Sequence, residues 1–494
     1  MAPVELDSTA SLIPTLTRAS HLLLSVVLST IVGRTIYRSY LTLPPSSTTR
    51  SRGPLRQTHV KLFSALAALS LITATYYGTS IAQLSYRVWA DERGVELPDS
   101  WFGDKGAFRG GVHPGRVHLV QWLNDTSFYR STYELVAEKA RYIWWGQQAS
   151  LATTVWSNFL AIEGRRRGIS HLWAFLLLAQ LVGLSYAQNL FFVATLLTPV
   201  PLPDNVKDMT RDSVLATSSR LRHLKNRLIS PKPEGWLPHP AFYITTLLAS
   251  TTATFLSPYA TRWSSFNTTI LISQFLPSLP LLLPEILPQS LGKIHKNPHA
   301  AQKSHRTLFR TMAILSTLLH AKTSTVAVLT NTPSDSYHDP TLFHPFNSTH
   351  RSTLERGSKA ISRLLGAINE HPVISSLGYD VLLSSLSLGL WAGVRNLDPM
   401  DMLLASSPLE TETKQAKVKA KEEAASPLPK RRGRGRPKKE DMEYKPEPEE
   451  LVAEGDEEAA DPDWEAAALA WGLISATGLG SGSSGIFGAE CVAR

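Results

Sequence analysis

The sequence predicts an all-α, polytopic membrane helical bundle of about eight or nine transmembrane helices with one disordered, charged insert. Windows of about 20 apolar residues recur along the chain, long enough to cross a hydrocarbon core about 30 Å thick. Charged residues make up only 18% of the 494 residues, below the roughly 25% typical of soluble domains. Many of them fall in one tract after residue 410, so the remainder is strongly apolar.

Nine windows qualify as spans. They are residues 19–37, 62–86, 142–162, 172–198, 241–257, 268–287, 308–329, 373–392 and 466–487. The fourth window is the most uniformly apolar. The sixth contains three prolines, each of which removes a backbone donor and kinks a helix. The last is rich in Ala, Gly and Ser, which favours close packing inside a bundle. Residues 117–141 read as one amphipathic helix on the membrane surface.

The chain divides into a main bundle (1–403), the insert (404–463) and a C-terminal transmembrane helix that returns to the bundle (464–494). The insert is rich in Lys, Glu and Pro, so it buries too little apolar surface to offset its ordering entropy. Its Arg434-Gly435-Arg436-Pro437 core resembles an AT-hook, whose Arg-Gly-Arg enters a narrow A·T minor groove. A solvated or lipid-contacting polybasic stretch is the favoured alternative, so DNA is not the expected partner.

Orientation follows from basic loops and glycosylation sequons. Basic residues lie between the first and second spans and between the third and fourth, which makes that side cytosolic by the positive-inside rule. Residues 200–240, on the other side, are also basic and weaken the argument. Asn124 is the predicted luminal glycan acceptor, whereas Asn267 and Asn347 face the cytosol unless the span count is off by one. The expected location is the endoplasmic reticulum or another endomembrane.

Acidic side chains within spans are costly, so they are candidates for function. Asp380 lies roughly 10 Å along its helix, where an unpaired carboxyl would stay protonated and act as a proton donor. An ion pair, for example with Arg395, is the equal alternative. Glu163 either pairs with the arginines that follow it or serves catalysis. Glu490 is either an acid in a cavity or an interfacial carboxylate.

Amides form a second polar group. Gln180, Gln188 and Asn189 share one predicted helix, where they either join helices through hydrogen bonds or contact a substrate.

Several site types are not expected. The single cysteine, Cys491, excludes a disulfide framework and a Cys-rich metal site. His295 and His299 have metal-ligand spacing, but Pro298 interrupts the helix that would hold them. The G-x-G-x-x-G pattern at 480–485 follows no strand, so a nucleotide site fails on context. Neither a metal nor a cofactor is therefore expected.

Short strings at 144–148, 163–167, 171–174, 187–192, 378–382 and 488–490 carry a resemblance. Over roughly residues 115–300 and 365–490 the chain resembles a fungal family of multi-span membrane proteins that includes the membrane-bound meroterpenoid cyclases of the ascofuranone and macrophorin type. The resemblance implies cofactor-free protonation of an epoxide or alkene on a hydrophobic, prenylated substrate. Asp380, Glu163 or Glu490 would then supply the proton. Trp144, Trp145 and Trp391 would offer aromatic faces to cations.

Three classes of function remain open. The first is a cyclase in the bilayer, favoured by a protonated Asp380 beside an apolar cavity. The second is a transporter or scaffold, favoured by a water-filled path across the bilayer. The third is a membrane-tethered DNA binder acting through Arg434–Pro437, favoured by a nuclear-membrane location.

Overall fold

The computed structural model describes residues 12–43, 53–97, 117–198, 236–294, 302–338, 348–406 and 462–493. Within these ranges the chain is almost entirely helical. The helices are α1 (Ile13–Leu41), α2 (Gly53–Arg93), α3 (Leu119–Asp125), α4 (Phe128–Glu138), α5 (Ala140–Arg166), α6 (Leu172–Leu181), α7 (Leu184–Leu197), α8 (Pro240–Ala260), α9 (Phe266–Phe275), α10 (Leu279–Ile286), α11 (Gln302–Asn331), α12 (Thr353–Gly366), α13 (Pro372–Val394), α14 (Pro399–Ser406), α15 (Trp464–Thr477) and α16 (Leu479–Ala493).

Two pairs of three-residue strands complete the described structure. β1 (Trp236–Pro238) pairs antiparallel with β2 (Gly292–Ile294). β3 (Ser336–His338) pairs antiparallel with β4 (Ser348–His350).

Five segments are long and apolar enough to cross a membrane. They are Ile13–Leu41, Arg56–Arg93, Phe266–Ile286, His305–Asn331 and Pro372–Val394. Much of their surface points outward: Ile72 of α2 is 65% exposed and Leu271 of α9 is 70% exposed. Large apolar surfaces of this kind are stable in lipid and costly in water. The prediction of an all-α membrane bundle is confirmed at this level.

Helices α5 and α13 run parallel to each other from one end of the bundle to the other. At their first residues, Glu370 accepts hydrogen bonds from Arg141 and Tyr142, both at 2.7 Å. At their last residues, Arg395 contacts Glu490 at 2.6 Å. We call the end with Arg395 and Glu490 the arginine end, and the end with Glu370 the opposite end. Helices α2 and α11 run antiparallel to this pair and pack against it.

The window 172–198, predicted as one span, is a helical hairpin. Arg167 precedes α6 and donates to the carbonyl groups of Thr195 and Thr198 at the end of α7, at 3.2 and 3.1 Å. A straight helix of this length would put those residues about 40 Å apart. The segment therefore enters from the arginine end and returns to it, and the prediction of a single crossing is wrong. We call α6–α7 the first hairpin.

The C-terminal window 466–487 is a second hairpin of the same kind. The Asp463 amide, just before α15, donates to the Gly393 carbonyl at the arginine end. Glu490, near the end of α16, meets Arg395 at that same end. Gly478 turns the chain between the two helices with φ of 87°, a conformation that favours glycine. The predicted C-terminal transmembrane helix is therefore the second hairpin, α15–α16.

The predicted amphipathic helix at 117–141 is also divided. Thr126 and Ser127 separate α3 from α4, and Lys139 separates α4 from α5. Trp122 and Leu123 of α3 are buried with Tyr86 and Trp89 of α2. The surface position of α4 is compatible with the prediction, since it buries no residue completely.

The two halves of the bundle repeat one architecture. A long helix (α2 or α11) precedes an amphipathic helix (α4 or α12), a helix of the central pair (α5 or α13) and a hairpin. Gly146 of α5 lies against Val136, and Gly378 of α13 lies against Ile368, each pair ten residues apart.

The hairpins are exchanged between the halves. Phe192 of α7 stacks on Trp391 of α13, with ring centroids 4.2 Å apart. Phe487 of α16 stacks on Phe159 of α5, with centroids 4.1 Å apart. Each hairpin therefore packs against the central helix of the other half. The sequence suggested no inverted repeat, and this repeat is parallel, since both hairpins enter from the same end.

Candidate functional site

The first hairpin turns against a buried carboxylate. Asp380 of α13 accepts hydrogen bonds from the amides of Leu184 and Ser185 at 2.9 and 2.8 Å, and from the Ser185 hydroxyl at 2.6 Å. These amides begin α7 and have no partner within their own helix. A Cβ atom at Gly183 would lie 2.9 Å from the carboxylate, so this contact needs a glycine.

The partners of Asp380 differ from both expectations. Its partner is a helix N-terminus, whose partial positive charge stabilises an anion; it is not paired with Arg395. Three donors address its two oxygens, so Asp380 acts as the cap of α7. Asp380 is eight residues beyond Pro372, about 12 Å from the opposite end, which places the turn deep within the bundle.

A cavity of about 270 Å³ lies beside this turn. Its walls come from α2, α4, α5, α8, α9, α13 and the turn of the first hairpin. Asp380 and Ser185 line it together with the amides Gln147, Gln180 and Gln274. The lining includes serine and threonine hydroxyls and apolar side chains, and no lysine, arginine or histidine among the described residues. The cavity therefore presents polar groups and one carboxylate in an otherwise apolar bundle.

Gln147 is the least satisfied group in this wall. It is only 6% exposed, and its Oε1 atom has no hydrogen-bond partner within the described structure. Gln180, by contrast, donates to the Gln274 carbonyl at 2.7 Å. A buried amide oxygen without a partner costs free energy that a bound ligand can recover.

The second hairpin has a matching cap in the other half. Gln148 accepts from the Leu479 amide at 2.8 Å and approaches His320 through its Nε2 atom at 2.7 Å. Gln148 is eight residues along α5, the same distance that separates Asp380 from the start of α13. The two hairpin turns therefore lie at one depth, each held by a polar side chain of the opposite half.

Glu163 and Glu490 lie about a cluster of arginines at the arginine end. Both carboxylates are completely buried. Glu163 contacts Arg166 at 2.8 Å and also Arg167, and Glu490 contacts Arg395. Arg167 lies 3.5 Å from Glu490 and so joins the two pairs. The expectation that Glu163 pairs with its neighbours agrees with this geometry, and Glu490 is paired as well, with Arg395.

The predicted substrate-binding residues separate into two groups. Gln180 lines the cavity. The others do not: Gln188 accepts from Ser384 at 2.5 Å, and Asn189 donates to the Ser185 carbonyl at 2.8 Å. Gln188 therefore joins α7 to α13, and Asn189 bonds within α7.

The three predicted tryptophans also have structural partners. Trp144 donates to Ser324, and Trp145 donates to the Leu364 carbonyl. Trp391 is fully buried against Phe192, so its face is not open to a substrate. None of the three belongs to the lining of the cavity described above.

Gln147 and Gln148 were not among the predicted site residues. Two adjacent amides inside an apolar helix are a usable signal, because each costs free energy in lipid unless it is bonded. Arg434, Gly435, Arg436 and Pro437 lie outside the described residues. Within the described part of the chain no group of three His, Cys, Asp or Glu side chains is placed to hold a metal.

No protein-family model, no curated protein and no solved structure matches this chain.

Proposed function

We propose that this chain is an integral membrane protein that binds a small polar solute in the cavity at the first hairpin and lets it cross the bilayer. The observation that carries the proposal is a cavity with hydroxyl, amide and carboxyl groups in its wall, placed where a hairpin turns inside an apolar bundle. Backbone that leaves a helix at membrane depth is tolerated where it is buried in protein or lines a water-filled cavity. Broken helices around a central site are a recurring arrangement in transporters.

The depth and size of the cavity support this proposal. The turn lies about 12 Å from the opposite end, within a hydrocarbon core of about 30 Å. A volume of about 270 Å³ is just below the range of about 300–1,000 Å³ that holds drug-sized ligands. It suits a small solute better than a long prenyl chain attached to a ring.

A prenyl cyclase is the second candidate, and one observation favours it. Asp380 is a buried carboxyl group in the wall of the cavity, where an acid catalyst would be needed. Its oxygens already accept three hydrogen bonds from the first hairpin, which works against a role as proton donor to a substrate. Glu163 and Glu490 are occupied by arginines, so neither is available as an alternative acid.

Solute entry into proteoliposomes tests the first candidate. The full chain is reconstituted, and shrinking and reswelling after an osmotic jump is followed by light scattering for a panel of small solutes. We expect faster entry than in protein-free vesicles for at least one solute. Gln147→Leu should slow it, and Gly472→Ala, in α15 away from the cavity, should not. Entry equal to that of empty vesicles for every solute would overturn the proposal.

A separate assay addresses the cyclase. Membranes containing the full chain are incubated with a prenylated phenol and with its epoxide, and products are separated by mass. A cyclised product that disappears with Asp380→Asn but persists with Gln147→Leu would favour the second candidate over the first.

A further inference from the structure

Most of the hydroxyl groups in the cavity wall donate their hydrogens to backbone carbonyls of their own helices. Ser70 donates to the Leu66 carbonyl at 2.8 Å, and Thr73 donates to the Leu69 carbonyl at 2.9 Å. Thr153, Thr254, Ser257 and Ser273 donate in the same way to carbonyls three or four residues earlier. A hydroxyl has one donor and two acceptor lone pairs, so these groups can only accept from a ligand.

The remaining polar groups of the cavity follow the same pattern. The Ser185 hydroxyl donates to Asp380. The Gln180 side chain donates one hydrogen bond to the Gln274 carbonyl, while the Gln147 Oε1 atom is an acceptor without a partner among the described residues. The wall therefore offers acceptor oxygens in excess of donors.

The charged groups of the cavity wall also favour a ligand that donates hydrogen bonds. Asp380 is the one acidic side chain of the lining among the described residues, and its ionised form carries a negative charge that the N-terminus of α7 offsets by about half. No basic side chain lines the cavity among the described residues. The balance is negative, in surroundings where apolar walls strengthen electrostatic interactions.

We infer that the solute of the proposed site is a small monovalent cation that donates hydrogen bonds, of the ammonium or short primary-amine class. Its N–H groups donate hydrogen bonds to Gln147 Oε1 and to the hydroxyl oxygens whose own hydrogens are bonded to carbonyls. Its positive charge lies near the Asp380 carboxyl group. An anion meets mostly acceptor oxygens and a carboxyl group, and a neutral solute gains nothing from the charge. This inference rests on the proposed function and narrows it.

Three probes of similar size and different charge test it. Methylammonium, methanol and acetate are added at increasing concentrations to the purified full chain in detergent. The thermal unfolding midpoint is measured each time, because a ligand that binds only the folded state raises it. We expect methylammonium alone to raise the midpoint. Gln147→Leu should raise the fitted dissociation constant about tenfold or more, the effect of losing one hydrogen bond to a charged ligand.

The matched control is Gly472→Ala, whose response to methylammonium should equal that of the natural chain. Stabilisation by acetate, or by methanol as strongly as by methylammonium, would overturn the inference. So would a response to methylammonium that Gln147→Leu leaves unchanged. If vesicles admit only a neutral solute and no probe shifts the midpoint, the cation inference fails while the proposed function stands.

Discussion

Gln147 and Gln148 are neighbours on α5 with opposite surroundings. Gln148 bonds at both ends of its amide, to the Leu479 N–H and to His320. Gln147 lines the cavity, and its Oε1 atom is buried without a hydrogen-bond partner among the described residues. Two neighbouring residues of identical chemistry therefore differ in role: Gln148 has a structural role, and Gln147 has the binding role that we propose.

Substitution of these glutamines should separate the two roles in a stability measurement. We expect Gln148→Ala to lower the free energy of unfolding by about 1–3 kcal/mol, because a buried amide and an imidazole lose their partner. Gln147→Ala should change it far less, since no hydrogen bond is lost. Thermal unfolding followed by tryptophan fluorescence in detergent reports both. Equal losses in the two variants would contradict this assignment.

Glu370 predicts a dependence on pH at the opposite end. Burial disfavours its charged form, but hydrogen bonds from Arg141 and Tyr142 outweigh this and lower the pKa of the carboxyl below its ordinary value. A lowered pKa in the folded state adds stability above the unfolded pKa, about 4.3. That stability is lost as the pH falls through the lowered value.

The comparison that isolates this group is Glu370→Gln. We expect the variant to be less stable than the natural chain near neutral pH, and the difference to shrink as the pH drops below about 4.3. Unfolding midpoints at a series of pH values provide the measurement. A difference that stays constant down to acid pH would show that Glu370 acts without its charge.

Sequence reasoning at the residue scale identified polar groups but not their partners. Asp380 and Gln180 stood out because a polar side chain in an apolar window is visible in the sequence. The partners of Asp380 are the amides of residues 184 and 185, nearly 200 positions away. Nothing local specifies that contact, so the role of Asp380 as a helix cap could not be predicted.

At the scale of elements, each hairpin depends on the residue at its turn. Gly478 has φ of 87°, and a Cβ atom there would lie 2.6 Å from the His320 ring and 2.8 Å from the Gln148 side chain. Gly472, six residues earlier in α15, has open space around it.

Alanine should therefore act with opposite sign at these two glycines. We expect Gly478→Ala to destabilise the chain by about 1–3 kcal/mol through backbone strain and displacement of the cap. Gly472→Ala should stabilise α15 by up to about 1 kcal/mol, the helix preference of alanine over glycine. Thermal unfolding of both variants is the test. A Gly478→Ala chain as stable as the Gly472→Ala chain would rule out the proposed constraint at the turn.

The lengths of the helices explain which elements were predictable. Uniformly apolar windows correctly located α1, α2, α11 and α13, because length and hydropathy alone define such helices. The same criteria failed for 172–198, where a window of 27 mostly apolar residues satisfies the length of a crossing. The break at Gly183 is fixed by Asp380 on another helix. The hydropathy of the window therefore cannot predict where the helix breaks.

At the scale of the whole molecule, the hairpins revise the orientation of the sequons. Arg93, at the end of α2, contacts Asp125 beside Asn124, which places that sequon at the opposite end. Tyr259 contacts Lys322 late in α11, and Arg165 contacts the Leu281 carbonyl. The segment α9–α10 therefore starts at the opposite end, with Asn267. Asn347 lies outside the described residues.

Asn124 and Asn267 should consequently face one compartment, and the C-terminus the other. We expect Asn124→Gln and Asn267→Gln each to remove one glycosidase-sensitive band when the chain is made with microsomes. A C-terminal tag should be digested by protease added outside sealed vesicles. A glycan on one asparagine only, or a protected tag, would contradict this topology.

Each half of the chain completes the core of the other, since α13 packs on α7 and α5 packs on α16. Two copies of a half-length ancestor would make the same contacts in a symmetric dimer whose subunits trade one helix. Joining the copies end to end removes the dependence of that assembly on concentration.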